Sequence, residues 1–209
     1  MPFLYFFAKV SIIFQTSKCF IILSLLYEVY SPSLATFVIF FIIFADEIGT
    51  SDHRNIEKNM TPEQLSKNDE QYMRKALAEA QQAFDEGEIP IGAVVVCQGR
   101  VIARAHNLTE TLHDVTAHAE MQAITAAANE LGGKYLTDCT LYVTVEPCTM
   151  CAGALGWSQI PRIVYGCRDE KRGYTAYAPR ALHPKCSVTG GILEEECRQL
   201  MQDFFKQKR

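Results

Sequence analysis

The chain has 209 residues, 48% of them hydrophobic, and a formal net charge of −4. That length suffices for one compact domain with or without an appendage, and the charge argues against a generic polyanion binder. The charge is unevenly spread: residues 60–159 carry 6 Lys/Arg against 13 Asp/Glu, whereas residues 160–209 carry 10 against 6, which permits a local phosphate-binding face near the C-terminus.

Residues 1–45 are dominated by Phe, Ile, Leu, Val and Tyr. The runs Cys19 to Tyr27 and Ser33 to Ala45 each fall short of the roughly 20 apolar residues that span a bilayer. Joined, they are long enough but carry Glu28 and Pro32. A membrane anchor, a signal peptide and upstream in-frame sequence are the competing readings. The signal peptide fits poorly, because Lys9 is the first basic residue, lies inside an apolar run, and no small-x-small cleavage site follows. Met60-Thr61-Pro62-Glu63-Gln64 reads as a fresh start, a methionine just ahead of a helix with Thr61 as N-cap, Pro62 at N1 and Gln64 completing a capping box. We therefore expect residues 1–59 to be a hydrophobic extension, with upstream sequence preferred over membrane association of residues 1–45, and residues 60–209 to be the functional domain.

Met73, Ala76, Leu77, Ala80 and Phe84 recur at helical spacing, which predicts a helix from Pro62 to Asp85 ended by Gly87. Ile89 to Cys97 reads as a buried strand, and Gln98-Gly99-Arg100 turns it into a second strand, Val101 to Ala105. After a loop from His106 to Thr116, the residues Met121, Ile124, Ala128 and Leu131 are expected to form the inner face of a helix closed by Gly132-Gly133. Cys139 to Val145 is a third strand, Thr149 to Trp157 a helix, and Arg162 to Cys167 a fourth strand. A basic loop over residues 168–185, a short strand near Ser187, and a C-terminal helix striped by Leu193, Cys197, Leu200, Met201 and Phe204 complete the chain. Strands alternating with helices after an opening hairpin predict an α/β fold, a three-layer α/β/α domain with a mixed central sheet.

Two motifs carry chemistry. Thr116-Ala117-His118-Ala119-Glu120 and Glu146-Pro147-Cys148-Thr149-Met150-Cys151 supply one imidazole, two thiols and a carboxylate that need not be a ligand. One imidazole and two thiolates on Zn²⁺ leave a fourth position open for water, whose pKa falls from about 15.7 towards roughly 7. His118 and Glu120 are placed on the first turn of one helix, and residues two apart diverge on a regular helix, so both serve one site only where the helix begins. Cys148 and Cys151 lie at the start of another, so two helix N-termini converge where thiolate and hydroxide are favoured.

Cys-x-x-Cys alone also fits a redox pair, but such a pair needs no His-x-Glu on a second helix start. A closed structural zinc site needs a fourth ligand, and Cys139 lies at the far end of the strand that delivers Cys148, about 25 Å or more away in an extended chain. His113 could in principle reach, but that reading leaves Glu120 idle. His106 is read as an ordinary strand-end residue, and His113 and His183 remain open as substrate contacts. The other six cysteines of the eight (Cys19, Cys97, Cys139, Cys167, Cys186, Cys197) show no regular spacing and read as reduced, mostly buried thiols in a cytosolic protein.

At these residues the chain resembles the zinc-dependent cytidine/adenosine deaminase superfamily, whose His-x-Glu…Pro-Cys-x-x-Cys signature and mechanism are well known. Ile89 to Val95, Asn107, Thr116 to Met121 and Thr140 to Ala154 are similar to the bacterial tRNA-specific adenosine deaminases, as are Gly191-Ile192-Leu193 and Asp203-Phe204-Phe205. The resemblance runs from about Glu70 to Arg209 and includes none of residues 1–59. It implies a cytidine-deaminase-like fold and hydrolysis of adenosine to inosine at the wobble position of a tRNA anticodon. By position it implies zinc on His118, Cys148 and Cys151, proton transfer by Glu120, and substrate contacts from Asn107 and the Ala119 backbone. It further implies a cytoplasmic homodimer acting on an anticodon stem-loop.

The chain departs from the family at Ser158-Gln159, usually Ser-Arg, and at Gly173-Tyr174-Thr175-Ala176-Tyr177, usually a run of small residues facing substrate. Trp157 resembles the related guanine deaminases, so a free-base or nucleoside deaminase, guanine first and then cytidine, is the alternative. The cations Arg168, Lys171, Arg172, Arg180, Lys185, Lys206, Lys208 and Arg209 favour RNA, and the tyrosines are candidates to stack splayed bases.

Overall fold

The computed structural model describes residues 60–208. The expectations made for residues 1–59, including the apolar runs and their three readings, lie outside the described residues. Among the described residues no helix is long and apolar enough to cross a membrane.

Helix α1 spans Pro62–Asp85, as its capping signals predict. The Thr61 hydroxyl accepts from the Gln64 N–H at 3.3 Å, and Gln64 Oε1 accepts from the Thr61 N–H at 2.9 Å. Strand β1, Gly92–Cys97, starts three residues later than the apolar run suggested. Pro90 has no N–H to give a ladder, and the Ile91 N–H turns back to the Ile89 carbonyl at 2.7 Å. Gln98 (φ 51°) and Gly99 (φ 71°) are both left-handed, the two-residue hairpin turn whose twist matches that of the flanking strands. Strand β2 then runs Arg100–His106.

The remaining elements are α2 (Ala119–Leu131), β3 (Cys139–Val145), α3 (Thr149–Trp157), β4 (Arg162–Cys167), α4 (Tyr174–Tyr177), β5 (Ser187–Gly190) and α5 (Glu194–Gln207). The one-turn α4 falls in the segment read from sequence as loop. It is too short for apolar periodicity to register.

The sheet order is β2-β1-β3-β4-β5. β1 pairs antiparallel with β2 and β3, while β3–β4 and β4–β5 are parallel, so the sheet is mixed. β1 and β3 are buried along their whole lengths because both faces of the sheet are covered. On one face Val94, Val96, Tyr142 and Val164 pack with Tyr72, Met73 and Ala76 of α1 and Cys197 of α5. On the other, Ala93, Val95, Leu141, Val143 and Ile163 pack with Ala119, Ala123 and Ala127 of α2 and Leu155 of α3. This is the expected three-layer α/β/α architecture. At Gly92 the backbone of α1 lies so close that a Cβ would collide with the Ala76 carbonyl and the Ala80 nitrogen.

The inner face of α2 differs from the expectation. Ala119, Ala123 and Ala127 are buried, Met121, Ile124 and Ala128 are only half-buried, and Leu131 is exposed. Alanines at i, i+4 and i+8 let the helix lie close against the sheet. The larger side chains that drew attention in the sequence sit at the margins of that contact.

Candidate metal centre and substrate cleft

Each motif is delivered by a helix start. His118 is the N-cap of α2 (φ −68°, ψ 154°) and Cys148 the N-cap of α3 (φ −73°, ψ 173°), and neither side chain caps its own helix. Their extended backbones release both side chains toward a common point. Sequence spacing placed His118 inside the first helical turn; its position just before the turn is what lets it share a site with Glu120, the second helical residue. Behind Cys148, fully buried β3 fixes the approach, and the Ala152 N–H bonds the Cys148 carbonyl at 2.9 Å as α3 begins.

His118 Nδ1 lies 3.7 Å from Cys148 Sγ and 3.5 Å from Cys151 Sγ. All three candidate ligand atoms lie within 4.8 Å of one another, and they form the one cluster of metal-ligating type among the described residues. Tetrahedral zinc, with Zn–S about 2.3 Å and Zn–N about 2.0–2.1 Å, requires an N···S separation of about 3.6 Å. The observed separations match it. Glu120 is 3% exposed, and its Oε2 is buried without a hydrogen-bond partner. A buried, unpartnered carboxylate oxygen beside a three-ligand cluster fits an open site better than a closed one.

The proton distribution points the same way. Hydrogen bonding from Cys151, and then from His118, brings the Cys148 thiol down to about 4. The same Cys148 contact pushes Cys151 well above the ordinary thiol range and, as the leading cause, raises His118. Burial lifts the Glu120 carboxyl to about 7. The three donors thus share protons among themselves, which a bound dication would displace.

Asn107 and Ala119 are both buried, at 2% and 0% exposure. Ala119 is the first residue of α2, between His118 and Glu120. Asn107 follows β2, and its neighbour Leu108 donates its N–H to the carbonyl of Ala117, one residue before His118, at 3.0 Å. The Asn107 amide nitrogen donates to Glu88 Oε2 and to the Thr109 hydroxyl, each at 2.9 Å. Glu88, fully buried, also accepts the N–H groups of Thr111 (2.7 Å) and Glu110 (3.2 Å). Burial works to raise its carboxyl, but these hydrogen bonds outweigh it and hold the group below the ordinary range. Glu88 was missed in the sequence, although a glutamate heading the otherwise apolar run to Cys97 was the available signal.

Beside the cluster lies a cleft of about 320 Å³ lined by Cys148, Thr149, Met150, Lys171, Arg172 and Tyr177. Of the two tyrosines in the departing segment, Tyr174 is 6% exposed and belongs to the interior, while Tyr177 is 67% exposed. Only Tyr177 is available to stack on a base. Gln159 is exposed in the turn between α3 and β4, in a left-handed conformation (φ 57°). The other histidines do not join the cluster. His106 pairs with Glu86 at 3.1 Å and Glu79 at 3.7 Å, His183 Nδ1 accepts from the Lys185 N–H at 3.2 Å, and His113 is exposed. Cys139 is buried opposite Cys97 across β1–β3, in the apolar core rather than at the cluster. The seven cysteines among the described residues are free, and all but Cys148 and Cys186 are buried.

A family model described as MafB19-like deaminase matches residues 67–209. A tRNA-specific adenosine deaminase of Bacillus subtilis (strain 168) is 45% identical over 146 residues, covering 68% of this chain and 91% of the relative. A solved structure from work on A-to-I editing by tRNA:A34 deaminases at the wobble position of transfer RNA is 43% identical, with a TM-score of 0.59. It covers 62% of this chain and 98% of its own. A solved guanine deaminase from Nitrosomonas europaea is 24% identical with a TM-score of 0.56, covering 65% of this chain and 83% of its own, and shares the fold.

Proposed function

The chain belongs to the MafB19-like deaminase family, alongside the tRNA-specific adenosine deaminases, and from that premise we propose hydrolytic conversion of adenosine to inosine at the wobble position of a tRNA anticodon. The observation that carries the chemistry is His118 Nδ1 lying 3.7 and 3.5 Å from two cysteine sulfurs, the N···S separation of a tetrahedral site, beside the buried, unpartnered Glu120 Oε2.

His118, Cys148 and Cys151 would hold one Zn²⁺. When bound, zinc supplies Lewis acidity that makes a water acidic near neutral pH. Glu120 takes one proton from the attacking water and delivers it to N1 of adenine, then takes the remaining proton from the hydroxyl added at C6 and passes it to the departing amine as the C–N bond breaks, so that adenosine and water give inosine and ammonia. Burial favours the protonated form of Glu120 and so works against its staying a bare carboxylate once it has taken a proton. Asn107, held by Glu88 and Thr109, and the backbone at Ala119 orient the base.

Lys171 and Arg172 beside the cluster supply phosphate contacts and Tyr177 a stacking face, which supports RNA over a free base. The proposal extends to residues 60–209 as the deaminase domain preceded by a hydrophobic extension, to a cytoplasmic location, and to a homodimer. Trp157, 85% exposed on α3, is the side chain most in need of a covering surface. The test is to incubate the Met60-started protein with an anticodon stem-loop and, separately, with guanine, cytidine and adenosine. Inosine at the wobble base supports the proposal; turnover of guanine alone ends it.

A further inference from the structure

Glu146 is 3% exposed, its side chain wholly inaccessible, and the proton transfers above have no use for it. A carboxylate in such a place is strongly unfavourable unless donors surround it. Oε1 accepts from the Thr175 N–H at 3.1 Å and the Thr175 hydroxyl at 2.6 Å. Oε2 accepts from the Asp169 N–H at 3.2 Å and lies 3.8 Å from Arg168 Nε. Every one of these partners belongs to residues 168–175.

The same segment is closed onto the turn between β3 and α3 by two further contacts. The Tyr174 N–H donates to the Pro147 carbonyl at 2.9 Å, and Cys148 forms an isolated antiparallel bridge with Gly173. Gly173 leaves no room for change, since a Cβ there would meet the Glu146 carboxyl carbon at 2.5 Å and its Oε1 at 2.6 Å. Beyond Asp169, whose carboxylate accepts the N–H groups of both Lys171 and Arg172 at 3.0 Å, the chain presents those two cations to the cleft beside Cys148.

We propose that Glu146 is a positioning residue that registers the cationic loop of residues 168–175, and the Tyr177 that follows it, against the metal centre for an RNA backbone. This rests on the RNA reading above. Cys148 has independent supports, with β3 behind it and α3 ahead. The loop has the four-residue α4 as its one regular element and two main-chain ties at Gly173 and Tyr174, so loss of the carboxylate loosens residues 168–175 and spares the ligand.

Two variants test it, Glu146→Gln, which turns an amide donor toward N–H groups, and Thr175→Val, which keeps the carboxylate and removes the hydroxyl. Thr175→Ser is the conservative control. For each, KM for the stem-loop should rise about tenfold, the loss expected of a charge-assisted hydrogen bond, with kcat within about twofold. Zinc per chain should be unchanged, the dependence of KM on salt should become shallower, and Thr175→Ser should restore KM. A fall in kcat at constant KM, loss of zinc, or no change in either constant overturns the inference. If Glu146→Gln fails to fold, Thr175→Val decides.

Wild-type protein active on guanine but not on the stem-loop ends the function proposed above. The loop register is then read from amide exchange in Glu146→Gln. Faster exchange at Asp169 and Thr175, with β3 unaffected, upholds it, and unchanged exchange overturns it.

Discussion

The candidate metal ligands and the loops beside them are held by different means. The metal cluster is built from the starts of two helices, with His118, Cys148 and Cys151 fixed by main chain already committed to α2, β3 and α3. Residues 107–111 and 168–175 have little secondary structure and are instead drawn in by two buried carboxylates, Glu88 and Glu146. On the function proposed above, chemistry sits on rigid elements and recognition on loops pinned from inside.

The largest expected effect breaks the rigid side. Cys148→Ala removes a ligand, and we expect loss of bound zinc, read by elemental analysis, together with a fall in deamination of about 10³-fold or more. Chelation of the wild-type protein should produce the same loss, and added zinc should reverse it.

Asn107→Ala acts across the boundary. It deletes a donor to the buried Glu88 carboxylate and is expected to lower stability by about 1–3 kcal/mol in denaturant titration, with zinc retained. A loss of zinc would show that the two sides are not separable.

Glu88 sharpens the comparison through pH. Its carboxyl is held below the ordinary range in the folded state, so the unfolded chain binds its proton first as pH falls. Its contribution is present in full above the ordinary carboxylate value and is lost as pH falls through that value to the lowered one. Glu88→Gln should therefore flatten the acid limb of the stability profile. A profile that keeps its full slope would assign acid sensitivity to other groups.

The smallest effect is expected at the rim. Tyr177→Ala removes one stacking face and should cost about 1–3 kcal/mol in stem-loop binding at most, measured by anisotropy, with Tyr177→Phe near wild type.

How much of this was legible in the sequence follows the same division. Pro62–Asp85, Cys139–Val145, Thr149–Trp157 and Arg162–Cys167 have the bounds that capping residues and apolar runs predict, because those signals are local. The three cluster residues and Glu120 were readable as two motifs, since the chemistry requires particular side chains at fixed spacing. The contact face of α2 was not, because alanine's value there is closeness to the sheet, which hydrophobicity does not rank. The use of Nδ1 by His118 depends on where the N-cap backbone aims the ring. The roles of Glu88 and Glu146 were not read because their partners lie about 20 to 30 residues downstream and half of them are backbone N–H groups, which carry no sequence signature.

The most direct test of the reacting centre is Glu120→Gln, with zinc content and inosine formation on the anticodon stem-loop measured on the same preparation. One zinc per chain, with inosine formation reduced by about 10²–10⁴-fold, is the expected result. Inosine formed at the wild-type rate, or loss of the metal, would contradict the assignment of Glu120 as the proton carrier of a three-ligand zinc site.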